Sequence, residues 1–357
     1  MRLEFTMKIL QIAPVERRVP PHKHGGIERV VYNLVEGLCR RGHDVTLLAS
    51  ADSVVSAKLH PLITLPLLDD ETCGADLKSR EAYFSAVVAR ALCFINGKHF
   101  DVVHNHLGWR LIPFHNLITS PFVTTLQTPL DSPAKDIIFD EAAECSIVSV
   151  SDRQRLGRPK LNYVATVYNG VDMSLYSLSK ENKGYLVFLG RMAPEKGPVE
   201  AIKIAKSLSK PLIMAAAVHP WETDYFREEV LPLIDHRQIS YVGELNDQQK
   251  NELLGGAEAL LNPIQWEEPF GIACVEAMAC GTPVITLRRG AMPELIKDGV
   301  TGIVGSTLDE LVDRYSEIHS IDRHTCRKHA QAEFCSEVMV EGYLEVYEAL
   351  RSTTPQV

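Results

Sequence analysis

The chain has 357 residues, 45% of them hydrophobic and 23% charged, with 37 Lys and Arg against 46 Asp and Glu for a formal net charge of −9. That describes a protein able to bury real cores and long enough for two domains. It argues against a nucleic-acid partner, which needs a basic field, and no apolar run reaches membrane-spanning length. The acidic surplus is one-sided: residues 1–178 carry 19 Lys and Arg against 19 Asp and Glu, and residues 179–357 carry 18 against 27. This supports a division into two domains. Eight cysteines lie scattered without a C-x-x-C pair, which fits reduced thiols in a cytoplasmic setting better than a disulfide framework or a zinc site. The start, MRLEFTMKILQIA, is charged from its first residues and lacks a long apolar segment, so it reads as no signal peptide, with Met7 as a natural start.

Taken in order, Lys8–Pro14 reads as a short apolar strand. A loop with Pro20 and Pro21 leads to Gly25-Gly26 and a helix from Ile27 to about Arg41, whose apolar residues Val30, Val31, Leu34, Val35 and Leu38 recur at helical spacing. A glycine pair between strand and helix lets backbone approach a phosphate; it also makes a plain tight turn. The spacing is neither G-x-G-x-x-G nor a P-loop. After strand Val45–Leu48 and a helix over 77–97, strand Phe100–His104 runs into the polar cluster Asn105-His106. Open α/β sheets place ligands at such strand ends. Two histidines two apart invite a metal, but no third ligand stands nearby. Strands follow at Pro121–Leu126, Ile147–Val150 and Tyr163–Tyr168, and Leu175–Gly184 reads as a polar linker. Arg153, Arg155, Arg158 and Lys160 cluster within eight positions. They make either a solvated loop or a contact for an acidic acceptor or a lipid headgroup.

The second half opens with strand Tyr185–Gly190, followed by Arg191-Met192-Ala193-Pro194-Glu195-Lys196-Gly197 and helix Pro198–Leu208. From this loop Arg191 and Lys196 offer a guanidinium fork and a point charge for a diphosphate, or they bridge to Glu195 or Glu200. Strands Leu212–Val218 and Ile239–Gly243 come next, the latter entering Val242-Gly243-Glu244; then a helix carrying Lys250, and a strand over Ala257–Ile264. The string EPFGIACVEAMACGTPV, Glu268–Val284, reads as a helix from Phe270 to Ala279 stopped by Gly281, with a new strand beginning at Pro283. If fully helical, the eight steps from Glu268 to Glu276 rise roughly 12 Å. That is too far for a shared proton or metal, but it suits the two ends of one long ligand. Carboxylates accept hydrogen bonds from sugar hydroxyls. The amides near Gly271 and Ile272, at a helix N-terminus, suit an anion between them. Hydroxyl, phosphate, hydroxyl is the order of a nucleotide sugar. An amphipathic helix over Ser336–Leu350 closes the chain.

Glu268 and Glu276 resemble the E-x7-E signature of glycosyltransferase family 4, the retaining enzymes of the GT-B fold. The resemblance implies that Glu268 contacts donor-sugar hydroxyls and Glu276 the ribose. It implies that Arg191 and Lys196 bind the diphosphate, that Gly25 and Gly26 close over it, and that Val242 in the V-G-E loop contacts the base through backbone. Asp101-Val102-Val103-His104-Asn105-His106 resembles the family's D-x-x-H-x-H segment, with His106 beside the donor sugar. Asn169-Gly170-Val171-Asp172 matches its N-G-V-D junction, whereas Gln127 stands where many relatives carry His, which puts an acid–base role there in doubt.

The expected fold is α/β: two Rossmann-like doubly wound domains facing a central cleft. Their bounds are residues 1–175 on the acceptor side and 176–335 on the nucleotide-sugar side, with a last helix, 336–357, packing back on the first domain. The expected reaction is hexose transfer from a UDP- or GDP-sugar to an acceptor hydroxyl with retention, catalysed through His106, Arg191, Lys196 and Glu268. No metal or cofactor and no nucleic acid are expected, and membrane contact is at most peripheral. A nucleotide-sugar epimerase or a non-catalytic binding protein of the same fold is the alternative. The acceptor pocket is expected in loops 52–79 and 128–144, which carry no readable motif.

Overall fold

The computed structural model describes residues 6–69, 77–130, 136–141 and 143–353. Thirteen strands form two all-parallel sheets among the described residues. The chain divides into two compact units, Met1–Gly170 with Ser336–Val357, and Val171–Cys335.

In the first unit the strands are β1 (Lys8–Ile12), β2 (Asp44–Ser50), β3 (Lys58–Ile63), β4 (Val102–Asn105), β5 (Phe122–Leu126), β6 (Ser146–Ser149) and β7 (Tyr163–Thr166), in the order β3-β2-β1-β4-β5-β6-β7. The order reverses between β1 and β4, which pair from Ile9 opposite Val102 to Ile12 opposite Asn105. A parallel sheet needs helical crossovers that cover its faces, so its strands are apolar on both sides. Helix Leu77–Ile95 turns Phe84, Val87, Val88, Ala91 and Ile95 onto Leu10, Ile12 and Val103 of the sheet. The sequence reading missed β3. It is an edge strand with Pro61 inside it and with Lys58, His60 and Pro61 exposed, so it lacks the apolar run of a central strand.

The second unit repeats the plan with β8 (Leu186–Arg191), β9 (Leu212–Ala217), β10 (Ile239–Gly243), β11 (Ala259–Asn262), β12 (Val284–Leu287) and β13 (Gly302–Gly305), ordered β10-β9-β8-β11-β12-β13. Its reversal lies between β8 and β11. The core is Leu186, Val187, Phe188, Met214, Leu260, Val284, Ile285 and Ile303, all buried. β13, also missed, is two apolar residues between glycines. The expected linker after Leu175 is not one throughout: Tyr176 is buried in this unit. Among the described residues no helix is long and apolar enough to cross a membrane. The residues before Met7 lie mostly outside the described residues, as do parts of both expected acceptor loops, 70–76, 131–135 and 142.

Helix Ser336–Thr353 belongs to the first unit and packs on helix Gly26–Arg40. They approach closely at Gly37, where an added Cβ would stand 2.4 Å from Val340 Cγ2. Gly37→Ala is therefore expected to destabilise the protein by about 1–3 kcal/mol through overpacking, outweighing the gain of about 1 kcal/mol in helix propensity. Urea denaturation measures this, and adding Val340→Ala should recover part of the loss.

Candidate active site

In the second unit the crevice lies at the carboxyl ends of β8 and β11, where the strand order reverses and connections leave in opposite directions. Three loops meet there and hold one another mainly through backbone. The Gln265 amide donates to Glu195 O at 2.8 Å and the Ala291 amide to Glu268 O at 2.9 Å. The Gly290 amide donates to Glu267 Oε2 at 2.7 Å, and Arg289 Nη1 to Gln265 O at 2.7 Å. Two glycines permit this contact. Gly197 has φ 73° and Gly290 φ 50°, and an added Cβ on either would stand 2.2 Å from a backbone oxygen, of Pro263 or Glu268.

The locked loops present Glu268. Its Oε2 accepts from Lys196 Nζ at 2.5 Å and from Trp266 Nε1 at 2.9 Å, with Lys196 Nζ 4.9 Å from the Trp266 ring centroid. Arg191, the last residue of β8, pairs with Glu195 at 2.6 Å and with Glu222. Glu222 is buried, and its other oxygen accepts from the His219 amide at 3.0 Å. Of the bridges that the sequence offered, Arg191 makes the one to Glu195, whereas Lys196 pairs with Glu268 and not with Glu195 or Glu200. Sequence reading missed Glu222 because it follows β9 in a stretch with no motif.

Glu276 belongs to a separate cluster. The helix begins at Ile272, not Phe270, with Gly271 as its N-cap at φ 98°, so Glu268 lies in the preceding loop and no continuous helix joins the two glutamates. Glu276 is 4% exposed. Its Oε1 accepts from Tyr176 Oη at 2.6 Å and from Lys250 Nζ at 2.5 Å. Tyr176 and Lys250 were both missed as partners. Lys250 was legible only as one polar residue on a helix, 26 positions away. Val242 lies at the carboxyl end of β10, half exposed, before Gly243 at φ 75°.

In the first unit Gly25 is the N-cap of helix Gly26–Arg40. Arg29 Nη2 ties the preceding loop down through Pro21 O at 3.2 Å and Lys23 O at 3.4 Å. Glu28, in the first turn, is buried; burial, then the nearby Glu16 carboxylate, pushes its carboxyl up to about 7. His106 follows β4 at the switch point and is 2% exposed. Burial pushes its imidazole down to about 3, so it is neutral at physiological pH. Gln127 and Asn169 exchange two amide hydrogen bonds, of 3.0 and 2.8 Å, which gives the substituted position a structural partner in the N-G-V-D junction. Of the basic cluster, Arg155 donates to Ser149 Oγ at 2.8 Å, and Arg158 to Leu130 O at 2.9 Å while pairing with Asp136, so both are tied into this unit.

A family model described as "Glycosyltransferase Family 4" matches residues 24–175, and one described as "Glycosyl transferases group 1" matches 176–332. The chain belongs to glycosyltransferase family 4. This glycosyltransferase is 25% identical to the D-inositol 3-phosphate glycosyltransferase of Mycolicibacterium smegmatis, over 82% of this chain and 78% of the relative. Among solved structures, sucrose-phosphate synthase from Thermosynechococcus elongatus superposes with a TM-score of 0.79 at 16% identity, covering 96% of this chain and 99% of that one. Anabaena HepE in complex with UDP-glucose superposes at 0.74 with 18% identity, over 96% and 100%. The fold is GT-B.

Two expectations follow. Lys250→Met leaves the Glu276 carboxylate buried without its cation and should cost about 3 kcal/mol of stability by denaturant titration, with Tyr176→Phe costing about 1 kcal/mol. For Glu28, the folded carboxyl holds its proton to about pH 7 while the ordinary value is 4.5. The folded state thus binds more protons in that window, and stability falls as pH rises through it. Glu28→Gln removes this dependence. Relative to the parent, the variant should gain up to about 3 kcal/mol between pH 4.5 and pH 7, read from melts across that range.

Proposed function

We propose that this glycosyltransferase moves a hexose from a UDP- or GDP-sugar to an acceptor hydroxyl with retained configuration, and that the second unit binds the donor. The observation that carries the reading is the Lys196–Glu268–Trp266 cluster beside Arg191, fixed by three interlocked loops at the sheet's switch point. It sets cations for a diphosphate next to a carboxylate for sugar hydroxyls. Diphosphate oxygens take over donors of Arg191 and Lys196 that carboxylates hold, and the amides at Gly271 and Ile272 add helix-terminal donors. Glu276 takes the ribose and the backbone around Val242 the base. Gly25, Gly26 and His106 are assigned to the donor on motif resemblance alone. A donor of the UDP-glucose type is supported by the complex in which HepE shares this fold. A polyol hydroxyl as acceptor is supported by the likeness to the mycobacterial D-inositol 3-phosphate glycosyltransferase.

In the proposed step the bond between the anomeric carbon and the phosphate oxygen breaks, and its electron pair leaves with the diphosphate. The acceptor oxygen bonds to the same face of that carbon, and its proton passes to the leaving phosphate oxygen. Developing charge on the diphosphate dominates such a transition state. Arg191 and Lys196 stabilise it with no metal assigned a part. Glu268 binds and orients the sugar and forms no covalent bond.

Lys196→Ala should weaken binding of the matching nucleoside diphosphate roughly 10- to 100-fold by calorimetry, the value of a charge-assisted contact; an unchanged affinity would sink the diphosphate role. Product anomers read by NMR test the stereochemistry, and an inverted product removes the same-face step.

A further inference from the structure

A buried chain of polar side chains in the first unit sets the proton positions on His106. Gln11, on β1, donates from Nε2 to Tyr347 Oη at 2.8 Å and accepts at Oε1 from His106 Nε2 at 2.9 Å. Tyr347 Oη lies 2.6 Å from His104 Nδ1, His104 Nε2 lies 2.8 Å from Thr125 Oγ1, and Thr125 Oγ1 lies 2.9 Å from Tyr343 Oη. Tyr343 and Tyr347 come from helix Ser336–Thr353, and the whole chain of contacts is buried. The His104 and His106 ring centroids lie 3.9 Å apart, with the planes tilted by 42°.

With the Gln11 amide oriented in this way, counting protons fixes each donor and acceptor along the chain. An amide oxygen carries no hydrogen, so His106 Nε2 must bring one. The amide nitrogen already donates to Tyr347, so that hydroxyl turns its own hydrogen to His104 Nδ1. A neutral His104 then carries its proton on Nε2, toward Thr125. Burial pushes both imidazoles down and the Tyr347 phenol up, which keeps every member neutral. Turning the Gln11 amide over would reverse each donor and acceptor from His106 to Thr125 at once. The chain therefore behaves as one switchable unit, not as independent contacts.

One atom is left over. His106 Nδ1 is buried and makes no hydrogen bond among the described residues. An unpaired buried acceptor costs about 1–3 kcal/mol. Such a cost at a strand end on the switch point points to a ligand group that satisfies it.

We infer that Gln11 and Tyr347 are positioning residues for the transfer reaction: together they hold His106 as the Nε2–H tautomer, so that Nδ1 presents a lone pair to a substrate hydroxyl. The last step rests on the assignment of His106 to the sugar donor; the tautomer does not. The C-terminal helix thereby acts on substrate recognition through one phenol and one amide, without touching substrate.

Long-range proton–nitrogen correlation spectra of the full-length protein read the tautomer directly, with His106 assigned by loss of its signals in His106→Asn. The expected pattern at pH 7 is Nε2–H, and a proton on Nδ1 overturns the inference. Tyr347→Phe keeps the ring and removes the hydroxyl. It should put both tautomers in the spectrum and lower kcat roughly tenfold, the value of about one hydrogen bond, with the KM for acceptor unchanged. Gln11→Met should do the same. Unchanged spectra in both variants would defeat the positioning role, and the parent spectrum decides the tautomer even if neither folds. Mixed tautomers with an unchanged kcat would leave the network intact and remove His106 from the donor site.

Discussion

Glu268 is held in place by backbone. Three loops leaving the carboxyl edge of one parallel sheet are joined amide to carbonyl, and two glycines let them approach closer than any side chain would permit. The placement of Arg191, Lys196, Trp266 and Glu268 hangs on that contact. The loop after β8 brings Arg191 and Lys196, the loop after β11 brings Trp266 and Glu268, and the loop after β12 holds the second in register through Arg289, Gly290 and Ala291. Short parallel strands fix where the loops start, and the reversal of strand order opens the space between them.

Charge is arranged in the same spirit. The three cations assigned to ligand binding or to Glu276 already have carboxylates: Arg191 has Glu195 and Glu222, Lys196 has Glu268, Lys250 has Glu276. Partly buried ion pairs of this kind add little net stability, because desolvation offsets attraction. Their effect is on geometry. Long, flexible Lys and Arg side chains are kept in one rotamer beside the crevice, so less rotamer freedom is lost when a ligand arrives.

Much of the fold was legible because buried parallel strands are short apolar runs and their crossover helices are periodic. Strands β1, β4 to β6, β8 and β12 stand out this way, as do the helices after Gly26 and Gly197. The edges were not legible. β3 carries a proline and polar side chains, and β13 is two residues between glycines. At the site, spacing alone separated Glu268 from Glu276, but the helix between them was started too early, at Phe270, because Gly271 caps it with a positive φ that no composition rule marks. The partners were hidden for a different reason. Glu222, Tyr176 and Lys250 reach Arg191 or Glu276 across 31, 100 and 26 positions, so only the folded sheet brings them together. The same holds for Gln11 and Tyr347, 336 positions apart.

That last separation has a consequence for how the chain is made. The first unit is discontinuous: its sheet is complete by residue 170, but the tyrosines that finish its polar interior arrive only after Val171–Cys335 has been synthesised. At a ribosomal rate of about 5–20 residues per second, the nascent sheet waits on the order of ten to thirty seconds. During that interval Gln11, His104 and Thr125 lack their tyrosine partners, and the second unit, continuous in sequence, reaches its last residue, Cys335, before Tyr343 and Tyr347 are made. The amino-terminal half of the protein is thus its last to be completed.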